Sequence, residues 1–278
     1  MAERLRPTII ITTFNDRKRV YRTFNSLLRQ SRMPYEVIFA DGGSKDGTME
    51  YAKKLEKKYP FVRAILAPGN IAETRHLVIK KAKGDIIVFL DADQMAPRNW
   101  LKNLLQPIED GEVDFAGGAT RPFKPAQSTP EDYVNRYEHW FYENVVKHDV
   151  SMMPMGNTAW KAEIFRTIGG IRGGLKFNAE DYDVNQKVKA AGYRGKLVEG
   201  AWVYHDQSGL DSLRKILRRK YRYNTGAAYV YLLNNSLRER MKASGDKIGK
   251  FRHTYEVLDL FIKPLALFRA IIVLKVGV

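Results

Sequence analysis

The chain has 278 residues, 44% of them hydrophobic, which is enough to bury a large core and too apolar for a disordered segment. It has no cysteine, which excludes disulfides, thiolate metal sites and a thiol nucleophile. Forty-seven basic residues against 31 acidic give a net charge of +16, so the surface attracts phosphate in some form: nucleic acid, nucleotide or anionic lipid. The N-terminal stretch Met1 to Arg6 carries no apolar signal core, and no secretory signal is expected.

Thr8-Ile9-Ile10-Ile11-Thr12-Thr13 reads as a first buried strand. Phe14-Asn15-Asp16 then turns into a helix with Val20, Phe24, Leu27 and Leu28 at helical spacing. A second strand, Tyr35 to Ala40, runs into Asp41-Gly42-Gly43-Ser44-Lys45-Asp46-Gly47-Thr48, where glycines let backbone approach a ligand closely. Ser44 or Asp46 would cap the next helix, which carries Met49, Ala52, Leu55 and Tyr59. A third strand follows at Val62 to Leu66, then a helix from Thr74 through Ala82 that Gly84 stops.

Ile86-Ile87-Val88-Phe89-Leu90 then runs straight into Asp91-Ala92-Asp93. Five apolar residues fit a strand covered on both faces. Residues two apart in an extended chain point the same way, so Asp91 and Asp93 would present two carboxylates together at the strand's carboxyl end, where open α/β sheets bind ligands. Two close carboxylates repel unless a cation lies between them, and hard ions such as Mg²⁺ or Mn²⁺ take oxygen ligands. Taken alone, the same residues also fit a strand ending in a solvated acidic turn. Strands alternating with helices imply a parallel, doubly wound sheet, with the loops after Thr13, Ala40 and Leu90 on one edge.

Further along, Pro97 to Leu105 reads as a short helix and Val113 to Ala119 as a weaker strand. Thr129-Pro130-Glu131-Asp132 is a helix start with Thr129 as cap. Its helix aligns Tyr133, Tyr137, Phe141 and Val145, with Trp140 beside them; such a stripe is ordinarily core, the alternative being a sugar or lipid platform. Met153 to Thr158 reads as a turn before a helix over Lys161 to Ile168, with Gly169-Gly170 and Gly173-Gly174 in a loop. Asn178-Ala179-Glu180-Asp181-Tyr182-Asp183 heads a helix, and three acids in four residues exceed what the helix dipole requires. Trp202-Val203-Tyr204-His205 is a short strand ending in a histidine, a residue type more often structural than ligating.

In this order the motifs resemble the family-2 glycosyltransferases, which have the GT-A fold. The matching pieces are Ile11 to Asn15, Asp41 to Thr48, Thr74-Arg75-His76, Gly84-Asp85, Phe89 to Asp93, Gly156-Asn157, Gly169-Gly170, Glu180 to Asp183, Ala191 to Arg194 and Val203-Tyr204-His205. The resemblance implies an α/β fold with a Rossmann-like, mostly parallel sheet: a glycosyltransferase domain over residues 1–209, with a nucleotide-binding half of about 1–118 and an acceptor half of about 119–209. A basic, amphipathic helical extension would occupy 210–278. It implies a hexosyltransferase that inverts the anomeric centre of a nucleotide sugar with the help of Mg²⁺ or Mn²⁺. Thr12, Thr13, Phe14, Asn15, Asp41, Arg75, Asp91, Ala92, Asp93, Gly156, Asn157 and Glu180 would line the donor site. Asp91, Asp93 and His205 would be metal ligands, and Asp181 the catalytic base. Two departures stand out: Asp41-Gly42 where the family often has two aspartates, and Thr74-Arg75-His76 where it often has Ala-Arg-Asn.

The acceptor would be a saccharide or a polyprenyl phosphate, and the enzyme peripheral on the cytoplasmic face of the membrane. Arg214, Lys215, Arg218, Arg219, Lys220 and Arg222 form a cluster without acids, read either as a solvated helix face or as a contact for acceptor phosphate and anionic headgroups. Phe261 to Val278 is apolar but interrupted by Lys263, Pro264, Arg269 and Lys275, so it is not read as a complete span: an interfacial amphipathic helix is favoured, the start of a longer span and a core or dimer helix being the alternatives. A haloacid-dehalogenase-type phosphatase would also place Asp-x-Asp after a strand, but nearer the N-terminus and without three preceding strand units. A nucleic-acid-binding protein would explain the charge, but no recognised binding motif carries it.

Overall fold

The computed structural model describes residues 5–175, 177–234 and 262–270. The first half alternates β1 (Pro7–Thr13), α1 (Arg17–Leu27), β2 (Glu36–Asp41), α2 (Thr48–Lys58), β3 (Val62–Leu66), α3 (Ile71–Ile79) and β4 (Ile86–Leu90). There follow β5 (Gln94–Met95), α4 (Trp100–Glu109), β6 (Phe115–Gly117), β7 (Thr120–Pro122) and α5 (Thr129–Phe141). The remainder is β8 (Asn157–Lys161), α6 (Ala162–Thr167), α7 (Glu180–Ala190), β9 (Gly195–Leu197), β10 (Val203–His205) and α8 (Leu213–Leu233).

Seven strands form one sheet in the order β3-β2-β1-β4-β8-β6-β9, and β5-β10-β7 form a small second sheet. β1 to β4 pair in parallel, whereas β8 runs antiparallel to β4 and β6. The two-residue period of the central strands sorts their side chains into two cores. Ile9, Ile11, Val37, Phe39, Val88 and Leu90 pack on one face with Val20, Phe24 and Leu104; Ile10, Ile38, Ile87 and Phe89 pack on the other with Val78, Ile164 and Val184. This is the doubly wound, mostly parallel architecture expected. The sheet crosses the expected boundary near residue 118, because β8 and β9 from the later half flank β6.

Three local expectations are corrected. Met153 to Thr158 is not wholly a turn: Asn157–Lys161 is strand β8. Its polar residues masked it, yet Trp160 is fully buried and stacks on Phe115 with ring centroids 4.3 Å apart. The cap of α5 is Ser128 rather than Thr129, its side chain accepting the Glu131 N–H, and proline still sits in the first turn. Gly47 precedes α2 with a φ of 86°, while Asp46 Oδ1 accepts the Thr48 N–H beside it. Of the tail, residues 262–270 are helical with Ile262, Ala266 and Ala270 buried and Leu265 and Phe268 exposed; Phe261 and 271–278 lie outside the described residues.

Candidate active site

The carboxyl edge of the sheet is built by two loops stitched together. Asn15, in the left-handed region at φ 57°, accepts the Lys45 N–H with its side chain (2.8 Å) while its own N–H donates to Ser44 Oγ (2.8 Å). Asp41 is fully buried: Thr13 Oγ1 donates to its Oδ2 (3.1 Å), and the Gly43 and Ser44 N–H groups donate to its Oδ1 (2.9 and 2.8 Å). Its carboxylate thus shapes the loop at this edge. Phe14, 61% exposed, is the open surface of this edge.

Arg75 is the hub of the site. The capping box of Asn70 and Glu73 starts α3, and Thr74 anchors it to the Ala67 carbonyl, so Arg75 emerges one residue later under the sheet edge. Its buried guanidinium donates to Asp91 Oδ1 (2.9 Å), Glu180 Oε1 (3.0 Å) and Asp181 Oδ1 (3.3 Å), and its Nε to Thr12 Oγ1 (3.4 Å). Residues more than a hundred positions apart in sequence therefore meet on one cation. Glu180 and Asp181 reach it because the chain before α7 takes two successive left-handed residues, Phe177 (φ 65°) and Asn178 (φ 54°). Such geometry is strained for a bulky side chain and clusters at functional sites. The third acid of that run, Asp183, turns away to Arg172 and Lys187.

Asp93 lies beside a second cluster. The Asp206 N–H donates to the Asp93 carbonyl, and β10 pairs with β5, which brings His205 Nε2 to 3.5 Å from Asp93 Oδ1. On the other side of the ring, His205 Nδ1 is 3.2 Å from Glu138 Oε2. Glu138 also accepts from Thr120 Oγ1 (2.9 Å), Arg219 Nη2 (3.1 Å) and Gln207. Glu138, Gln207 and Thr120 escaped sequence reading: an isolated glutamate on a helix normally faces solvent, and only the tertiary fold buries this one.

A cavity of about 260 Å³ joins both clusters. Arg75, Asp91, Glu180, Asp181, Gly156 and His205 line one side, and Tyr133, Tyr137, Phe141 and Tyr142 another, so the aromatic stripe is a cavity wall rather than core. Arg219, Lys220 and Tyr223 from α8 close the cavity, so the helical extension belongs to it. Gly156 leaves no room beside Asp91: a Cβ there would stand 2.0 Å from Asp91 Oδ2. Asn157 borders the cavity but its side chain is held by Trp100 Nε1 and the Ala119 and Ala201 carbonyls. Ala92 packs into the core, its carbonyl accepting from Thr23 Oγ1. Thr12, Thr13, Phe14, Asn15, Asp41, Ala92 and Asp93 are not part of the cavity lining; they form the sheet edge next to it, Asp93 reaching the cavity only through His205.

The electrostatics follow from three carboxylates sharing one guanidinium. Burial, reinforced by the Glu180 charge, pushes the Asp181 carboxyl up to about 7 although Arg75 pulls it down. Burial also raises Glu180 and Asp91 against the pull of Arg75. Burial opposes ionisation of Asp93 as well, but His205 outweighs it and holds Asp93 below its ordinary value. His205 is held well above 6.5, burial being overcome by Glu138 and Asp93. The second oxygen of Glu180, Oε2, is buried without a hydrogen-bond partner among the described residues. Among those residues no three acidic or histidine side chains converge as a closed metal cage: Asp93 meets His205, while Asp91 turns to Arg75. Carboxylate and imidazole donors with surplus negative charge suit a divalent cation whose remaining positions a ligand's oxygens fill.

An α/β sheet with paired aspartates at the end of its fourth strand, facing an acidic helix start across a cavity, defines a glycosyltransferase of the GT-A fold. Residues 8–169 match the family described as Glycosyl transferase family 2, and the chain belongs to it. It is 24% identical over 236 residues to glycosyltransferase AglE of Haloferax volcanii, covering 82% of this chain and 74% of that protein. To chondroitin synthase of Pasteurella multocida it is 23% identical over 240 residues, 72% of this chain but only 24% of that longer protein. Among solved structures it resembles mannosyltransferase PcManGT from Pyrobaculum calidifontis in complex with GDP-Man and Mn²⁺, with a TM-score of 0.64 and 21% identity, covering 99% and 76% of the two chains.

Proposed function

We propose that the protein is an inverting, divalent-metal-dependent hexosyltransferase that moves a sugar from a nucleoside diphosphate to a saccharide or polyprenyl-phosphate acceptor. The observation that carries this reading is the bridge through Arg75 from Asp91 to Asp181 across one cavity. A metal-side carboxylate and a carboxylate with a raised pKa face the same space, as a single displacement requires.

Asp91, Asp93 and His205 would hold the cation. When bound, Mg²⁺ or Mn²⁺ supplies neutralisation of the charge that develops on the departing diphosphate. Thr12, Thr13, Phe14 and Asn15 form the edge for the nucleoside, with Asp41 holding that edge in shape. Asn157 likewise holds the floor, Ala92 spaces the two aspartates, and Gly156, lacking a Cβ, lets the Asp91 carboxylate lie against its backbone. Arg75 orients the diphosphate and the base together. Asp181 accepts the acceptor's proton as its oxygen bonds to the anomeric carbon and the bond to diphosphate breaks; one displacement inverts that carbon. An Asp181 carboxyl near 7 is matched to a proton acceptor at neutral pH. Glu180 Oε2 is left to accept from a sugar or acceptor hydroxyl. The aromatic wall of Tyr133, Tyr137 and Phe141 offers flat faces to an acceptor sugar. Residues 1–118, 119–209 and 210–278 act as donor side, acceptor side and cationic flank.

No helix among the described residues is long and apolar enough to cross a membrane. The exposed Arg214, Arg218, Arg222 and Leu213 of α8, with Leu265 and Phe268, favour a peripheral position on the anionic cytoplasmic face. The test is thermal shift against UDP-, GDP- and dTDP-sugars with and without Mn²⁺. One nucleotide class stabilising the protein only with Mn²⁺, and not stabilising Asp93→Ala, is the expected result. Stabilisation that persists in Asp93→Ala would remove the metal role.

A further inference from the structure

Glu138 is a carboxylate that can act neither as base nor as ligand without losing what holds it. A carboxylate has about four lone-pair positions on its two oxygens. Thr120 Oγ1 and His205 Nδ1 occupy Oε2 at 2.9 and 3.2 Å; Arg219 Nη2, at 3.1 Å, and Gln207 Nε2 occupy Oε1. Those four donors come from β7, β10, the segment after it and α8, so the carboxylate is fixed from four directions.

Its effect falls on the ring of His205. The backbone already fixes where that residue sits, through the β5–β10 and β7–β10 pairings and the Asp206 N–H to Asp93 carbonyl bond. What the backbone does not fix is which nitrogen faces Asp93. Glu138 Oε2, at 3.2 Å, and Gln207 Nε2, at 2.8 Å, both meet Nδ1 on one side of the ring, while Nε2 points at Asp93 Oδ1, 3.5 Å away. Glu138 in turn holds the Gln207 amide, so it sets that edge of the ring directly and through Gln207. A carboxylate behind a metal-binding imidazole fixes its orientation in this way.

We propose that Glu138 is the positioning residue for the cation: it presets the ring of His205 with Nδ1 inward and Nε2 beside Asp93, and through Arg219 and Gln207 it ties that setting to helix α8. The inference rests on the reading of Asp93 and His205 as cation ligands. It makes α8, which also lines the acceptor side of the cavity, part of the support for the metal side.

The test uses the full chain, with Mn²⁺ titrated in the presence of a mixture of UDP and GDP and free Mn²⁺ followed by electron paramagnetic resonance. Glu138→Gln keeps the shape, removes the charge and places an amide among four donors. It should weaken Mn²⁺ binding by about 10- to 100-fold. Turnover should be lost at low Mn²⁺ and restored by excess Mn²⁺, and nitrogen NMR of His205 should show both ring-nitrogen resonances shift as the ring loses its fixed orientation. If Glu138→Gln does not fold, Glu138→Asp keeps the charge for Arg219 but withdraws from Nδ1, and the same weakening is expected of it. A lower melting temperature with unchanged Mn²⁺ affinity would mean that Glu138 only staples the helices, and would overturn the proposal. Asp93→Ala separates the two levels. If it too keeps Mn²⁺ affinity, the metal reading itself fails; if it loses affinity while Glu138→Gln keeps it, only the role of Glu138 fails.

Discussion

Replacing Gly156 by alanine probes the metal side of the site with one methyl group. The backbone of Gly156 is not left-handed, so alanine fits it conformationally and the whole effect is steric. The added Cβ would stand 2.0 Å from Asp91 Oδ2, against at least 3.4 Å for ordinary contact, so one of the two must retreat by about 1.4 Å. The main chains cannot: the Asp91 N–H donates to the Gly156 carbonyl at 3.1 Å, and β4 and β8 are in register at Leu90 and Asn157. The Asp91 side chain must therefore swing, breaking its 2.9 Å pair with Arg75. A misplacement of about 1 Å at a reacting centre costs roughly 100-fold in rate. Global stability should move by less than about 2 kcal/mol, because the alanine also restricts the unfolded chain by about 0.4–1 kcal/mol. Isothermal titration with nucleoside diphosphate and Mn²⁺, beside a thermal melt, separates the two effects. Wild-type donor affinity and turnover in Gly156→Ala would refute the claim that the position of Asp91 matters.

Asp181→Asn should leave donor binding nearly intact while transfer falls by at least about 100-fold, the scale of general-base catalysis; unchanged turnover removes the base assignment. In the wild type, kcat/KM should rise through a pH near 7 as Asp181 ionises, and the variant's residual rate should lack that step. The sign for stability is opposite. A carboxyl raised from 3.8 to about 7 binds its proton more tightly folded than unfolded, so its contribution is full below 3.8 and is lost as pH rises to about 7. Melting temperature between pH 5 and 8 should accordingly fall less in Asp181→Asn than in the wild type. Asn157→Ala should cost about 3 kcal/mol in urea unfolding, since it orphans the buried indole N–H of Trp100 and the carbonyl of Ala201; the Ala119 carbonyl keeps the Val203 N–H. Changing Arg214, Arg218 and Arg222 together to glutamine should weaken sedimentation with anionic vesicles by roughly 100-fold at low salt; no change would make that helix face merely solvated.

The doubly wound core was legible because each of its strands is a run of apolar residues and each helix repeats its apolar face. The meeting of Asp91, Arg75, Glu180 and Asp181 was legible as a list of residues but not as a geometry. What joins them is a pair of left-handed residues, Phe177 and Asn178, that no periodicity announces. β8 was missed because Asn157-Thr158-Ala159-Trp160-Lys161 is half polar, and its buried amide is satisfied only by distant partners, Trp100, Ala119 and Ala201. The local bonding of Asp41 was equally invisible: only the fold shows Thr13, Gly43 and Ser44 donating to its carboxylate. The aromatic stripe of α5 has a core-like spacing; what leaves it lining a cavity is the acidic floor opposite, which no apolar residue fills.

That floor contrasts with the chain's net charge of +16. In and beside the cavity Asp91, Asp93, Glu138, Glu180 and Asp181 meet Arg75, Arg219, Lys220 and His205, so the site's carboxyl groups are already engaged by the protein's own cations. The basic surplus lies elsewhere, on exposed positions such as Arg214 and Arg218, where water and salt screen it over about 8–10 Å. It can steer a phosphate toward the protein, but it does little to neutralise one inside the cavity. A diphosphate entering beside Asp91 and Asp93 would bring further negative charge next to two carboxylates. Arg75 could not offset it alone, since three carboxylates already hold it. On the proposed reading Asp91, Asp93 and His205 would hold a divalent cation that supplies this neutralisation, so the acidic site and the basic surface would serve different steps: local neutralisation and long-range attraction.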